Sequence, residues 1–436
     1  MKSGPKSAQA VNAVNVRTWY QDTGLTPPKT TAPETCAEQY DVAIIGAGLA
    51  GLSLLLRLSK AGLSAVLLER DCIGAGASGR NGGFCTPGWA ADEAQIRRVM
   101  GPEAVAEMAD LAAYGLDWMQ ARMQQPDYAG SHPVDGALTV SLSGRPPLGL
   151  GAGERLLSAD ALGEILSTRR YRFGVFSSVG LHFHPLNFMR ALAREALAAG
   201  GAILEHTALL SARPEATRGW LLQTQTRQLR ARKLVLTTGG YGGAENRFLQ
   251  AHLLPIRTYI GVTAPMPELL DRHIARNWAI ADTRRAGNYY RRLADGRLLW
   301  GMAITAFGTH DPATVKRMVA RDIAAIYPAL AGDMSEAETG IDYGWGGHMA
   351  YAAHFLPYVR QIDANCYAMT GFGGHGMNSI PAAAKVLSDV LTGAREDTGI
   401  FMRIPPRRSF GLLGRGVAEL SYRLRQTQDA LAARLL

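Results

Sequence analysis

Cysteine is scarce in this chain of 436 residues: Cys36, Cys72, Cys85 and Cys366 stand far apart, with no CxxC pair and no histidine-rich cluster. Such spacing excludes a disulfide framework and a structural zinc site, so no metal is expected, and it fits a reducing, cytoplasmic compartment. Long hydrophobic runs are also missing. Nothing reaches the roughly 18 apolar residues of a membrane span, and Met1 to Lys6 is not followed by the apolar core of a secretion signal. There is no internal repeat and no low-complexity segment. The net charge of +9 comes without a long basic block or a basic patch interleaved with aromatics, so no nucleic-acid partner is expected. With 47% hydrophobic and 19% charged residues the chain has material for two or three domains of core.

Glycine is what the chain has in quantity, and its placement is informative. The apolar run from Asp41 to Ile45 leads into Gly46-Ala47-Gly48-Leu49-Ala50-Gly51, a helical pattern follows to Ala61, and a second apolar run ends on Glu69-Arg70. This is a βαβ unit. Gly46 permits the tight turn, Gly48 lets a pyrophosphate approach the backbone, Gly51 lets the helix pack on the strand, and Glu69 can accept ribose hydroxyls about twenty residues on. The helix start at Leu49 and Ala50 offers backbone N–H groups to phosphate. A dinucleotide is therefore expected here.

A second glycine-rich stretch, Gly74 to Gly83, sets Gly76, Ala77, Ser78, Arg80, Asn81, Gly82 and Gly83 where a cation and close backbone N–H groups could form another wall around a phosphate-bearing ligand. A buried strand from Lys233 ends on Thr237-Thr238-Gly239, and a third glycine turn, Gly371-Phe372-Gly373-Gly374-His375-Gly376-Met377, feeds a helix running to Leu391. Between them the pattern changes. Tyr259 to Thr263, Gly287 to Arg292 and Arg297 to Ile304 read as antiparallel strands, with a helix from Pro312 to Tyr327, as expected of a second, α+β unit. Residues 1–39 read as an N-terminal arm of which Val16 to Tyr20 docks, and 396–436 as a basic helical tail that docks on the body or approaches a membrane.

These three glycine motifs, in this order and spacing from about Asn15 onward, resemble the FAD-dependent amine and D-amino-acid oxidase (DAO) superfamily, and within it the gamma-glutamylputrescine oxidoreductase-like subgroup. The resemblance implies an α/β fold with a Rossmann-type FAD domain in three pieces (40–92, 180–254 and 344–395) and a substrate domain with an antiparallel sheet (93–179 and 255–343). It implies that Glu69 holds the adenosine ribose, that Ser78 to Gly83 line pyrophosphate and flavin, that Thr237 to Gly239 sit near the adenosine half, and that Gly371 to Met377 lie against the isoalloxazine ring. The implied reaction is oxidation of an amine C–N bond, with O2 or a quinone as acceptor. The alternatives are an amino-acid oxidase or dehydrogenase of the D-amino-acid, glycine or proline kind, and a non-catalytic flavin-binding subunit. Relatives that tether the flavin use a cysteine, but Gly346 to Ala350 has none, so FAD is expected to be non-covalent. His375, His348 and Tyr259 are the candidate catalytic residues. Tyr259 and Trp300 could wall an amine, and Arg291 or Arg292 could hold a substrate carboxylate. His182 and His184, flanking Phe183, lack acids or cysteines at ligand spacing.

Overall fold

The run after Tyr40 forms the strand Gln39–Ile45, whose last four residues are fully buried because parallel neighbours flank it on both edges. In the computed structural model, which describes residues 16–215, 219–242, 246–284, 287–308 and 310–434, this strand is the centre of an eight-stranded sheet. The order is Tyr358–Asp363, Cys366–Thr370, Gln228–Leu236, Gln39–Ile45, Ala65–Leu68 and Ala202–Leu204, with Gly219–Thr224 and Leu209–Glu215 running antiparallel off Gln228–Leu236. Strands covered on both faces read as continuous apolar runs, which is why Ala65–Leu68 and Cys366–Thr370 have no exposed residue. The glycine turns after Ile45, Leu236 and Thr370 all leave from the carboxyl ends of parallel strands, where open α/β sheets bind ligands.

Helices Leu49–Lys60, Pro185–Ala198 and Gly376–Leu391 pack into this core. So do Glu93–Met100 and Ala104–Met123, which the sequence grouped with the second unit: Met108, Ala112, Leu116 and Met119 share one cluster with Val42 and Leu54. Gly115 explains the attachment. A Cβ there would stand 1.7 Å from the Asn378 carbonyl oxygen, so only glycine lets the two helix backbones touch.

The second sheet has nine strands in the order Ile341–Ala352, Leu253–Thr263, Leu298–Thr305, Tyr289–Arg292, Ala279–Asp282, Val134–Ser141, Phe173–His182 and Phe84–Cys85, with Glu154–Ser158 on Phe173–His182. Its pairings are antiparallel except for Ala279–Asp282 on Val134–Ser141. Helix Pro312–Ile326 covers one face through Val315, Val319 and Ile323. Residues 344–348, expected at the start of the last FAD-domain piece (344–395), are instead part of this sheet's long edge strand. Gly344 makes that possible, since a Cβ there would lie 2.8 Å from the Pro312 carbonyl oxygen. At the amino end, helix Trp19–Asp22 is closed by a capping box between Thr18 and Gln21. The far end is helix Gly411–Arg434.

Candidate active site

A cavity of about 1280 Å³ runs from the carboxyl end of the central strand to the second sheet. Its first wall is backbone. Gly46 holds φ +109°, and a Cβ on Gly51 would stand 2.0 Å from the Gly46 carbonyl oxygen, so turn and helix meet without side chains. Glu69 is positioned by the same turn: Ala47 N–H donates to Oε2 at 2.7 Å and Asp71 N–H to Oε1 at 2.8 Å. Burial raises its pKa, and those two N–H groups pull the other way. Each oxygen keeps a second lone pair for a hydroxyl from the cavity.

The middle is made by the Gly74–Gly83 segment. Helix Leu49–Lys60 has no capping side chain of its own, and Ser78 substitutes: its Oγ accepts from Leu49 N–H at 2.9 Å. Arg80 is buried, donates from Nε to Ala75 O at 2.7 Å and lines the cavity. Asn81 ties the turn, donating to Ala77 O and Ser78 O and accepting from Gly83 N–H.

The far wall starts at Gly371, Gly373 and Gly374, with φ of +86°, +59° and +80°. Helix Gly376–Leu391 follows with no side-chain cap, so its first N–H groups and positive dipole end lie at the cavity where Gly376 and Met377 line it. His375 precedes it, and its Nε2 faces the Pro87 carbonyl oxygen at 3.4 Å. Burial lowers its pKa, with the carbonyls of Pro87 and Thr86 opposing. Beyond it the cavity continues between Thr258, Ile304 and Tyr351 to a polar corner of Asp282, Arg284, Asn288 and Tyr289. There Asp282 Oδ2 accepts from Arg284 Nη2 at 2.6 Å, Arg284 Nε at 3.1 Å and Asn288 N–H at 3.0 Å. The Asp282 side chain is fully buried and Arg284 is 26% exposed. Burial pushes the Tyr289 phenol up to about 12.

Residues 41–390 match the family described as DAO, FAD dependent oxidoreductase. The chain belongs to that family. It is similar to gamma-glutamylputrescine oxidoreductase of Escherichia coli (strain K12), 28% identical over 378 residues that cover 84% of this chain and 86% of that protein. It is also similar to the probable oxidoreductase OrdL of Rhizobium meliloti (strain 1021), at 26% identity, with 84% of this chain and 86% of that protein covered. In fold it matches glycine oxidase from Geobacillus kaustophilus, with TM-score 0.65 and 18% identity over 81% of this chain and 95% of that one.

The residues present in this DAO-family oxidoreductase fit FAD. One cofactor long enough to reach three glycine turns finds a side-chain-free approach at Gly46 and Gly48, an acid at Glu69, and an uncapped helix end at Gly376. Most expected cofactor residues face the cavity, including Arg70, Ala50, Thr237, Thr238, Gly239 and the whole of Gly371 to Met377. Leu49, Gly51 and Gly83 do not. Leu49 is buried in the core, Gly51 serves helix packing, and a Cβ on Gly83 would stand 2.0 Å from the Phe183 carbonyl oxygen.

Of the three candidate catalytic residues, His375 and His348 line the cavity and Tyr259 does not. Alternation along the strand decides the last: Thr258 and Ile260 face inward, and Tyr259 packs with Val315 and Val319 behind the sheet. His348 lies beside Tyr241, whose hydroxyl accepts from its backbone N–H at 3.0 Å, and its Nε2 accepts from Arg257 Nε at 3.1 Å. Burial and Arg257 hold its pKa down at about 4. Trp300 is likewise behind the sheet, stacked on Tyr290 at 4.4 Å and donating to Asp322. Arg291 is used up on Gly82 O, Phe183 O, Tyr20 Oη and His182 Nδ1, and Arg292 pairs with Asp271. A cation that does line the cavity, where 291 and 292 do not, is Arg284. An Asp-x-Arg turn closed by Gly287, whose Cβ would meet Asp282 Oδ1 at 2.1 Å, was the overlooked signal. His184 caps helix Pro185–Ala198 through Asn187 N–H, and His182 Nε2 meets the Asn277 carbonyl.

Proposed function

We propose that this protein oxidises the C–N bond of a primary or secondary amine that also carries a carboxylate, a gamma-glutamylputrescine-like or related amino compound, with FAD held non-covalently. The observation that carries the proposal is the continuation of the cavity past the His375 turn to an arginine held by a buried acid. FAD, when bound, supplies a hydride acceptor at N5, and the resulting imine hydrolyses to an aldehyde or keto acid and an amine or ammonia.

The chain's own residues do the rest. Glu69 and the Gly46 turn hold the adenosine end, and the dipole of helix Gly376–Leu391 favours negative charge where it points. Arg284 gives Nε and Nη2 to Asp282 and turns its remaining Nη1 side to a substrate carboxylate, with Asp282 and Asn288 N–H fixing the geometry of the corner. His375 lines the cavity at the helix start, where it can hydrogen-bond the substrate nitrogen, whose free base is the form that reacts. Ile304, Thr258 and Tyr351 shield the region between from water. No cysteine lines the cavity among the described residues, which supports a non-covalent cofactor. The four free cysteines support a cytoplasmic location.

Arg284 would serve the carboxylate of a small zwitterion as well, so an amino-acid oxidase or dehydrogenase is the second reading. An anaerobic titration separates them. Purified yellow protein mixed with gamma-glutamylated diamines, free diamines, glycine, proline and D-amino acids is expected to lose its visible flavin absorption with the first class at the lowest concentration. Admission of air then tells O2 from a quinone as acceptor by the speed of recolouring. A protein that stays oxidised with every compound overturns the proposal and leaves a non-catalytic flavin subunit.

A further inference from the structure

Helix Gly411–Arg434 is amphipathic the wrong way round for a helix that only docks. Its inner side is polar or small. Arg415 Nε donates to Ala306 O at 2.7 Å, Glu419 Oε2 accepts from Ala306 N–H at 2.9 Å, and Ala418, Ser421, Tyr422 and Arg425 line the cavity. The opposite side carries Leu413, Val417, Leu420 and Leu424, spaced four, three and four residues apart, hence one stripe along the helix. They are 78%, 70%, 60% and 56% exposed, and Phe410 and Leu412 beside the helix start are 71% and 73% exposed. Scattered exposed leucines are ordinary, but a continuous stripe on one helix marks a surface that something covers.

The geometry points to an anionic lipid bilayer surface as that partner. From Arg403 to the end of the chain there are seven arginines against two acids, Glu419 and Asp429, and no lysine. Glu419 is turned inward onto Ala306 and Arg423. Arg407 and Arg408, just before the helix, and Arg423 on it are exposed. An apolar stripe flanked by arginines sinks its leucines to the headgroup boundary and pairs its charges with acidic lipids. A second copy of the same surface is disfavoured, since it would set arginine against arginine. No helix among the described residues is long and apolar enough to cross a membrane, so the contact is peripheral. Because the inner side of the same helix lines the cavity, docking would set this wall of the cavity beside the bilayer.

The test uses the full-length, flavin-loaded protein and sedimentation with sucrose-filled vesicles of equal parts phosphatidylglycerol and phosphatidylcholine. Binding is expected at low salt, falling as salt shortens the Debye length. Vesicles of phosphatidylcholine alone should bind at least about tenfold less, from the loss of roughly fivefold per unpaired charge. The triple variant L413Q/L420Q/L424Q should keep its flavin and melting temperature, because all three side chains are in water, and lose vesicle binding by about tenfold or more. R407Q/R408Q should weaken binding to anionic vesicles while leaving the leucines in place. The proposal is overturned if wild-type protein stays in the supernatant, if neutral vesicles bind equally, if either variant binds like wild type, or if sedimentation velocity without vesicles shows a stable dimer that the leucine variant dissolves.

Discussion

The two ends of the cavity are made of different material. At the Gly46 end the surface is backbone, shaped by positions where a Cβ would collide: 2.0 Å at Gly51 and 2.9 Å at Gly48. At the Arg284 end it is side chains, with Arg284 held by the buried Asp282. The first kind of surface is least tolerant at Gly51, where the clash is with backbone, and says little about the ligand beyond its shape. The second can change one residue at a time, and it is where specificity within a family is free to diverge.

Gly51→Val should break the contrast most completely. With a side chain facing the Gly46 carbonyl, the turn and helix separate, and the expected result is protein without flavin or no folded protein, read from the visible spectrum of the purified product. Arg284→Gln should leave flavin content unchanged and lower kcat/KM for a carboxylate-bearing amine by on the order of thirtyfold, about 2 kcal/mol, with a much smaller change for an amine lacking the carboxylate. Equal losses on both substrates would remove Arg284 from recognition.

Acid should act on the seam between the two ends. His182 and His184 are buried and neutral, both held near a pKa of about 3 by burial and by Arg291. Their folded pKa lies below the unfolded value of ~6.5, so the unfolded chain takes up the protons first and stability falls as pH drops from there toward 3. Each should remove up to about 1.4 kcal/mol per pH unit in that window, and none above it, seen as a falling denaturant midpoint. The smallest effect belongs to Tyr259→Phe. The ring packs behind the sheet, so kcat and KM should stay within about twofold of wild type, and a tenfold fall in kcat would return Tyr259 to the active site.

The same contrast explains what was readable from the chain. Gly46, Gly48, Gly51 and Glu69 were legible because only glycine satisfies those backbone approaches, so residue type and spacing record the geometry directly. The parallel sheet was legible for a related reason, since Val42 to Ile45 and Leu234 to Leu236 are buried on both faces. Tyr259 was not, because the face a strand residue presents depends on which helix covers the sheet, and nothing within Tyr259 to Thr263 says that Pro312–Ile326 lies behind it; Arg284 was not, because it sits in a turn just past the strand Ala279–Asp282. Residues 93–179 were expected in the substrate domain, yet helix Ala104–Met123 packs in the core of the parallel sheet, because one glycine, Gly115, decides its docking partner.

The amino-terminal segment has a consequence for how ligands exchange. Trp19 Nε1 donates to Asp295 at 2.8 Å and the Tyr20 hydroxyl accepts from Arg291 at 3.2 Å, both in the second unit, while Thr31 N–H donates to Ile203 O at 3.0 Å on the edge of the parallel sheet. One short piece of chain is therefore stitched to both halves like a seam allowance. Swinging the halves apart would first have to unpick Trp19 and Tyr20 from their buried seats. At the other end of the described chain Tyr422 and Arg425 line the same cavity, so both terminal segments bear on how far the two halves can move around it.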